Sequence, residues 1–349
     1  MVDNIFSPEK LSAFAIDVLC KIGVSKESAE IVVDTLIRAD LRGISTHGVG
    51  KLEDYVARIE AKVLDPKAAV KIQRESAVTA LLDAKNGFGQ VAAFTAMELA
   101  IKKASESGIG MVLVNHSNHF GIASYYSLMA AKKNLIGIVS TNASAGIAPF
   151  GAKEKMFGTN PLSVAVPSKS KFPIVLDMSS SVVARGKIKQ ALAAGQPLPL
   201  GWALDADGKP TTDPTAALKG TLEPVSGPKG SGLALMIEII CGVLSGSAMP
   251  GEVKPITDLS GNCNTGHFFC AIDPKVFIDP ELFLSNIDET ISRIKEKTPV
   301  ANEVFVPGEI EHNNEQKNRK QGITMKEKAI KSLKVLSVQY GIPFLAGDK

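Results

Sequence analysis

The sequence predicts an α/β protein in which a sheet-bearing middle is flanked by helices from both ends of the chain. Aromatic residues are only 5% of the composition while small and aliphatic residues abound, which suits layered helices and strands better than a β-sandwich. Short apolar runs bounded by turn residues are concentrated in the stretch from 75 to 279. Helical periodicity prevails before and after that stretch.

Taken in order, Ser7-Pro8-Glu9 places an N-cap hydroxyl, a first-turn proline and an acid against the helix dipole, so a helix is expected as far as Lys21. A second helix starts near Ser25 and carries Ile31, Val32, Leu36 and Ile37 until Gly43 interrupts it. Leu52, Tyr55, Val56 and Ile59 then resume helical spacing, leaving Gly43-Ile44-Ser45-Thr46-His47-Gly48 as a tight junction. Strands are expected at Val78 to Leu82, Met111 to Val114, Leu135 to Val139, Leu162 to Val166, Ile174 to Leu176 and Phe268 to Ile272. Phe94, Met97 and Ile101 mark a covering helix, and Leu233, Met236, Ile237, Ile240 and Leu244 are apolar enough to suggest a buried one. Two amphipathic patterns follow: Ile287, Ile291, Ile294 and, after a Thr324-to-Glu327 capping box, Ile330, Leu333, Tyr340. The expected division is a helical domain from residues 1–74 and 280–349 around an α/β domain of residues 75–279, a size in the ordinary range.

A net charge of +3, with both signs interspersed, argues against a nucleic-acid partner, and Lys317-Asn318-Arg319-Lys320 reads as a solvated loop. Four scattered cysteines without a C-x-x-C pair point away from disulfides and structural zinc, toward reduced thiols in a cytoplasmic protein. The N-terminal residues have neither a basic leader nor an apolar core, and no apolar stretch is long enough for a bilayer, so no membrane role is expected.

Gly87-Phe88-Gly89-Gln90-Val91-Ala92 follows a strand and opens a helix as a dinucleotide fingerprint should, but the next strand ends Val114-Asn115-His116 without the acid that would hold a ribose. The motif therefore reads as a tight strand-to-helix turn. No phosphate-binding P-loop is present. Among five histidines, His47 lies in the glycine-flanked junction and His119 in the post-strand loop Asn115 to Gly121. Imidazole exchanges a proton near neutral pH with least adjustment, so both are candidates for acid/base work on an alcohol. His116 and His119 form H-x-x-H, but no Cys or carboxylate pair completes a metal shell, and no metal is expected. Asn160 and Asp177 each sit beside an expected strand, where Asp177 can orient an imidazole, accept ribose hydroxyls or cap a helix. Lys229 and Gly230 open a helix that could face a phosphate, and Pro307-Gly308-Glu309 follows the strand-like Val304-Phe305-Val306.

In sequence order, Ala39-Asp40-Leu41-Arg42-Gly43, Thr46-His47-Gly48, Asn118-His119-Phe120-Gly121, Gly158-Thr159-Asn160-Pro161, Leu176-Asp177-Met178, Arg185-Gly186-Lys187, Gly201-Trp202-Ala203, Thr211-Thr212-Asp213-Pro214, Pro228-Lys229-Gly230 and Pro307-Gly308-Glu309 resemble the type 2 malate/L-lactate dehydrogenase family. The resemblance spans nearly the whole chain and is closest to archaeal-type malate dehydrogenases. It implies a fold unlike the Rossmann one, with a helical domain from both termini, a central α/β domain around an unusual mixed sheet, and a homodimer or higher homo-oligomer binding NAD or NADP. It also implies that His47 is the acid/base histidine, with Thr46 where a serine commonly precedes it and Asp177 as its charge partner, and that His119 is a second active-site histidine, treated in some members as the proton acceptor. Lys51 and Tyr55 fall on pocket-lining positions. Asp177, Met178, Ser179, Lys229, Gly230, Pro307, Gly308 and Glu309 fall on cofactor-contacting segments. Lys51 stands where an arginine is common, exchanging a bidentate fork for a point charge.

The expected activity is hydride transfer between NAD(P) and a small 2-hydroxy acid, L-malate with oxaloacetate first. L-lactate, L-sulfolactate and ureidoglycolate dehydrogenases and a cyclic imine reductase are the alternatives within the family, and a non-catalytic anion-binding module built on Lys229 is the alternative outside it.

Overall fold

The computed structural model describes residues 4–300 and 303–344. Residues 1–3, 301–302 and 345–349, at the margins of the expected helical domain and including the start of the chain, lie outside the described residues. Helices α1 (Pro8–Lys21) and α2 (Lys26–Leu41) start where their caps predict, the hydroxyls of Ser7 and Ser25 accepting from Lys10 N–H and Ser28 N–H. With α3 (Leu52–Glu60) and α11 (Glu327–Tyr340) they bury one apolar cluster that includes Leu11, Phe14, Val18, Leu36, Tyr55, Leu333 and Leu336. A short pair, β1 (Ile5–Phe6) with β11 (Ile323–Thr324), ties the two ends together, and α10 (Glu309–Gln321) is held to α2 by Glu315 accepting from Arg38 and Arg42.

The central sheet has the order β2-β3-β4-β10-β5-β6-β7, formed by β2 (Lys71–Glu75), β3 (Thr79–Asp83), β4 (Ile109–Ser117), β5 (Ile136–Thr141), β6 (Leu162–Val166), β7 (Ile174–Met178) and β10 (Thr265–Ile272). Its β3 and β4 are parallel, joined across helix α4 (Gly89–Ser107), and the other neighbouring pairs are antiparallel, which is not Rossmann topology. β10 enters from late in the chain and is nearly buried along its length, with Phe268 opposite both Leu113 and Ser140. α4 and α5 (Ala123–Ala131) cover one face with Ala92, Ala96, Met97, Ala100 and Tyr126 against Val112, Val114 and Phe269. A third cluster, around Ile147, Phe157, Ile188 and Leu222, joins α6 (Arg185–Ala193), α7 (Pro214–Lys219) and α8 (Pro228–Glu238) with the short pair β8 (Ala203–Leu204) and β9 (Thr221–Leu222).

All six expected strands are present, and the structure adds the edge strand β2, which starts ahead of residue 75; its five exposed residues, Lys-Ile-Gln-Arg-Glu, carry no apolar alternation to announce it. Four local expectations are corrected. Thr324 lies in β11 opposite Ile5 and does not cap α11, because the antiparallel pairing claims its backbone. Lys317 to Lys320 lie within α10, where Arg319 bonds Glu315 one turn earlier, rather than in a loop. Val304 to Val306 form no strand. The apolar helix α8, widened into a π turn over Ile239–Val243, buries Ala234, Ile237 and Cys241 but leaves Leu235, Met236, Ile239, Val243 and Leu244 exposed. Helix α9 (Pro280–Lys295) packs beside the β6–β7 turn, Asp288 accepting from the backbone N–H groups of Lys169 and Ser170.

Candidate active site

The junction after α2 turns sharply at Gly43, whose φ of 82° is open to glycine, and winds Ser45–His47 into a single 3-10 turn. Asp40, buried at the end of α2, fastens this turn: its Oδ2 accepts from Val49 N–H at 2.7 Å. A Cβ on Gly48 would fall 1.9 Å from Asp40 Oδ1, so the close approach requires glycine there. Burial pushes the Asp40 carboxyl up to about 7 against the opposing Val49 bond.

On that turn His47 Nδ1 lies 2.9 Å from Thr46 Oγ1, and the His47 ring stacks on His119 with centroids 5.4 Å apart. Burial, then the Lys51 charge, lowers His47 to about 4, so the ring is neutral at pH 7. His119 follows β4, with its Nδ1 2.7 Å from Tyr55 Oη. Burial and the adjacent His47, Lys51 and His267 hold it well below the usual imidazole range. Tyr55, fully buried in α3, accepts from Gln90 Nε2 at 2.6 Å. One turn after Tyr55, the fully buried Arg58 donates to the carbonyls of Asp258 (2.7 Å), Val63 (3.1 Å) and Gly261 (3.2 Å) and to Asn118 Oδ1 (3.3 Å), fastening a wall of the site to the residue before His119. From β10, His267 bridges Thr141 Oγ1 (2.7 Å) and Ser117 Oγ (2.8 Å) and stacks on Phe120 at 4.7 Å. Burial lowers its pKa to about 3.

These elements enclose a cavity of about 630 Å³, lined by both stacked histidines, by the loop from Thr141 to Ala145 and by five cationic side chains, Lys51, Lys155, Arg185, Lys189 and Lys254. Among the described residues no carboxylate is in that lining, and Asp54, 2.8 Å from Lys51, sits just behind it. Gly186 seats α6 on the histidine turn, since a Cβ there would be 3.1 Å from Thr46 Cγ2; Arg185 and Lys189, one turn apart, then both face the cavity. Burial and the charges of Arg185 and Lys51 hold Lys189 below the ordinary lysine range. The arrangement can receive a small anion with its hydroxyl or oxo group against two neutral imidazoles.

His47, Thr46, His119, Tyr55 and Lys51 therefore come together. Asp177 does not join them: Thr46, and not Asp177, is hydrogen-bonded to His47, while Asp177 Oδ2 accepts from Ser124 N–H at 3.0 Å. The reason is topological, because β7 is the far edge strand and its end meets the start of α5. Asp177, Pro307 and Gly308 line a second cavity of about 360 Å³ with Arg42, Ile44 and Ser124. Met178 and Ser179 continue from β7, Ser179 Oγ bonding Ser181. Gly230 brings the start of α8 onto this segment, a Cβ there falling 2.7 Å from Ser180 O, and Lys229 beside it is exposed. The Glu309 carboxylate is already taken, accepting from Lys295 Nζ (2.7 Å) and Val306 N–H (3.0 Å), which leaves it to close α10 rather than to meet a ligand. Asn160 is likewise saturated and fully buried: Ala143 N–H donates to it, and it donates to Ala234 O and Glu238 Oε1, so it holds the cavity loop instead of touching substrate. His116 points away from His119, to Asp83 at 3.1 Å. The G-x-G-x-x-A turn has no room for a pyrophosphate, because a Cβ on Gly89 would lie 2.1 Å from Asn118 O.

The model of the Malate/L-lactate dehydrogenase family matches residues 6–334. The chain belongs to this family. Among its relatives, the L-sulfolactate dehydrogenase of Methanocaldococcus jannaschii is 42% identical, with 97% of this chain and 98% of that protein covered. The malate dehydrogenase of Pyrococcus abyssi is 40% identical over 96% of this chain and 94% of its own. A solved malate dehydrogenase of Entamoeba histolytica superposes with a TM-score of 0.94 at 36% identity, covering 98% of this chain and 99% of that one. As a malate/L-lactate dehydrogenase family member the protein is an NAD(P)-dependent 2-hydroxy acid dehydrogenase, and among the described residues no helix is long and apolar enough to cross a membrane.

Arg58, Lys189 and His267 are site residues that the sequence did not single out, and Asp40, Gln90 and Arg185 stood there only as members of motifs, without a role of their own. Asp40 left a trace, an acid near the end of a helix where the dipole disfavours it.

Proposed function

We propose that the protein interconverts L-malate and oxaloacetate, with L-sulfolactate as the second reading, using NAD or NADP. The observation that carries this is a cavity presenting two stacked neutral histidines and five cations with, among the described residues, no carboxylate in its lining, which suits an acid bearing two negative groups. The sulfolactate reading is favoured by the first relative described above, itself an L-sulfolactate dehydrogenase.

The second cavity fits a cofactor segment, because Ser124 Oγ and Arg42 Nε are buried there without a protein partner and a ribose or phosphate oxygen would satisfy them. Asp177, Met178, Ser179, Lys229, Gly230, Pro307 and Gly308 would hold that group. The chemistry that such a cofactor would supply is acceptance of the hydride from C2 of the hydroxy acid and its return to the oxo acid. Lys51, with Arg185 and Lys189, holds the anionic groups. His47, neutral and oriented by Thr46, accepts the hydroxyl proton as the carbonyl forms and returns it in the reverse direction, a contribution of about 10² to 10⁴-fold. His119 donates a hydrogen bond to the same oxygen. The exposed apolar side of α8 is the face on which we place a second copy in a homodimer, checked by light scattering in solution.

A panel of oxaloacetate, sulfopyruvate, pyruvate and a cyclic imine, run with NADH and with NADPH and followed by nicotinamide absorbance, tests the reading. Oxaloacetate or sulfopyruvate should give the largest kcat/KM. Silence with every 2-oxo acid would overturn it, and preference for the imine would assign the site to imine reduction.

A further inference from the structure

The Gly87 to Ala92 motif is displaced from nucleotide binding by the loop that carries His119, and what it does instead follows from its own Gln90. Without a Cβ at Gly89, the backbone of Asn118 and His119 lies directly on the start of α4; a Cβ would sit 2.1 Å from Asn118 O and 2.5 Å from His119 O. This brings Gln90, fully buried, to Tyr55, also fully buried, and Tyr55 to His119.

The direction of each bond in this chain is determined by counting donors. Gln90 Nε2 donates to Tyr55 Oη at 2.6 Å, leaving Gln90 Oε1 as one buried acceptor without a partner. As placed, one N–H and the Oε1 go unmet; turning the amide over would leave both N–H donors unmet, and an orphaned buried N–H is the rarer of the two. With Gln90 donating to its oxygen, Tyr55 has one proton to place and a single partner for it, His119 Nδ1 at 2.7 Å. The phenol keeps that proton, because burial holds its pKa well above the usual value. A neutral ring whose Nδ1 accepts must carry its hydrogen on Nε2.

We propose that Gln90 is a positioning residue that acts through Tyr55 to hold His119 in the Nε2–H tautomer, so that the ring offers the cavity a hydrogen-bond donor and never a proton acceptor. The two stacked imidazoles are thereby given different work. His119 polarises the substrate oxygen as a neutral group, and exchange of the proton falls to His47. The catalytic half of this inference rests on the dehydrogenase reading; the tautomer itself does not.

The test is two-bond ¹H–¹⁵N correlation spectroscopy of the full-length protein labelled at histidine, at pH 7, with the His119 signals assigned by their loss in His119→Gln. The wild-type ring should show a protonated Nε2 and a bare Nδ1. In Gln90→Leu the Nδ1–H form should appear alongside it, and kcat for oxo-acid reduction should fall by at least about tenfold, the scale of weakening one preorganised donor, while cofactor affinity is unchanged. A wild-type spectrum with the proton on Nδ1, or a Gln90→Leu spectrum identical to wild type, overturns the inference. Should Gln90→Leu fail to fold, the wild-type spectrum decides alone. No substrate enters the spectroscopy, so failure of the proposed function and failure of this assignment are separate outcomes.

Discussion

Replacing His267 by Gln should flatten the acid limb of the stability curve by about 2 kcal/mol at pH 5. His267 is fully buried, and burial depresses its pKa to about 3, against 6.5 for a free imidazole. The folded-state pKa lies below the unfolded one, so as pH falls below about 6.5 the unfolded chain binds a proton that the native protein refuses. Stability contributed by the neutral ring is therefore intact above 6.5, is lost progressively down to about 3 and is constant below that. At pH 5 the difference is RT ln(1 + 10^1.5), about 2 kcal/mol, and at pH 7.5 it is close to zero. For a chain of 349 residues that is a shift in unfolding midpoint of roughly 3 °C. The assay is denaturant and thermal unfolding of both proteins at fixed concentration between pH 7.5 and 5. His267→Gln will cost stability at every pH because Thr141 and Ser117 lose their bridge, but its pH dependence should be shallower than wild type's by the stated amount. Parallel curves would show that the ring takes up a proton in the native state and that its burial has been misread.

Four further outcomes follow from the site geometry. His47→Ala should leave cofactor binding by fluorescence titration nearly intact and reduce kcat by about 10² or more; undiminished turnover would remove His47 from the chemistry. Gly48→Ala should destabilise the histidine turn by about 1–3 kcal/mol, since its Cβ meets the Asp40 carboxylate, and Asp40→Ala in the same chain should recover part of the loss in unfolding measurements. Lys51→Met removes a charge that lowers His47, so the acid limb of kcat/KM for alcohol oxidation, near pH 4 in wild type because the neutral ring is the active form, should move to higher pH; an unmoved limb would discard the Lys51–His47 coupling. Lys189→Met should reduce kcat/KM for oxaloacetate about tenfold relative to pyruvate, which lacks the second anionic group, and equal losses on both would deny it a role in selectivity.

What could be read in the sequence was what is local. Ser7 and Ser25 announce their helices because a cap acts on N–H groups two or three residues away. His47 and His119 stand out because glycines mark the turns that carry them. Gln90, Arg58 and His267 lie within a regular helix or strand, where a polar residue acquires meaning only from what folds against it. Arg58 donates to carbonyls some 200 positions later, and His267 meets hydroxyls on two strands drawn from the first half of the chain. Asp177 misled for the complementary reason: an acid closing an apolar run was correctly placed at a strand end, but only the folded chain shows that its carboxylate meets Ser124 at the start of α5 and not His47. The exposed strand β2 and the one-sided burial of α8 were invisible because hydropathy reports composition and not which neighbour arrives.

The late arrival of β10 has a consequence for biogenesis. Strands β2 to β4 and β5 to β7 are separate ribbons until the segment around Phe268 slides between them, so a nascent chain released from the ribosome too early would hold two unsealed sheet edges of Val, Leu and Ile side chains. Closure of that seam also brings His267 to Ser117 and Thr141, which makes assembly of the pocket simultaneous with a long-range strand pairing. A half-synthesised enzyme of this architecture is thus both inert and adhesive, and its demand on chaperones should be greatest while its last third is still being translated.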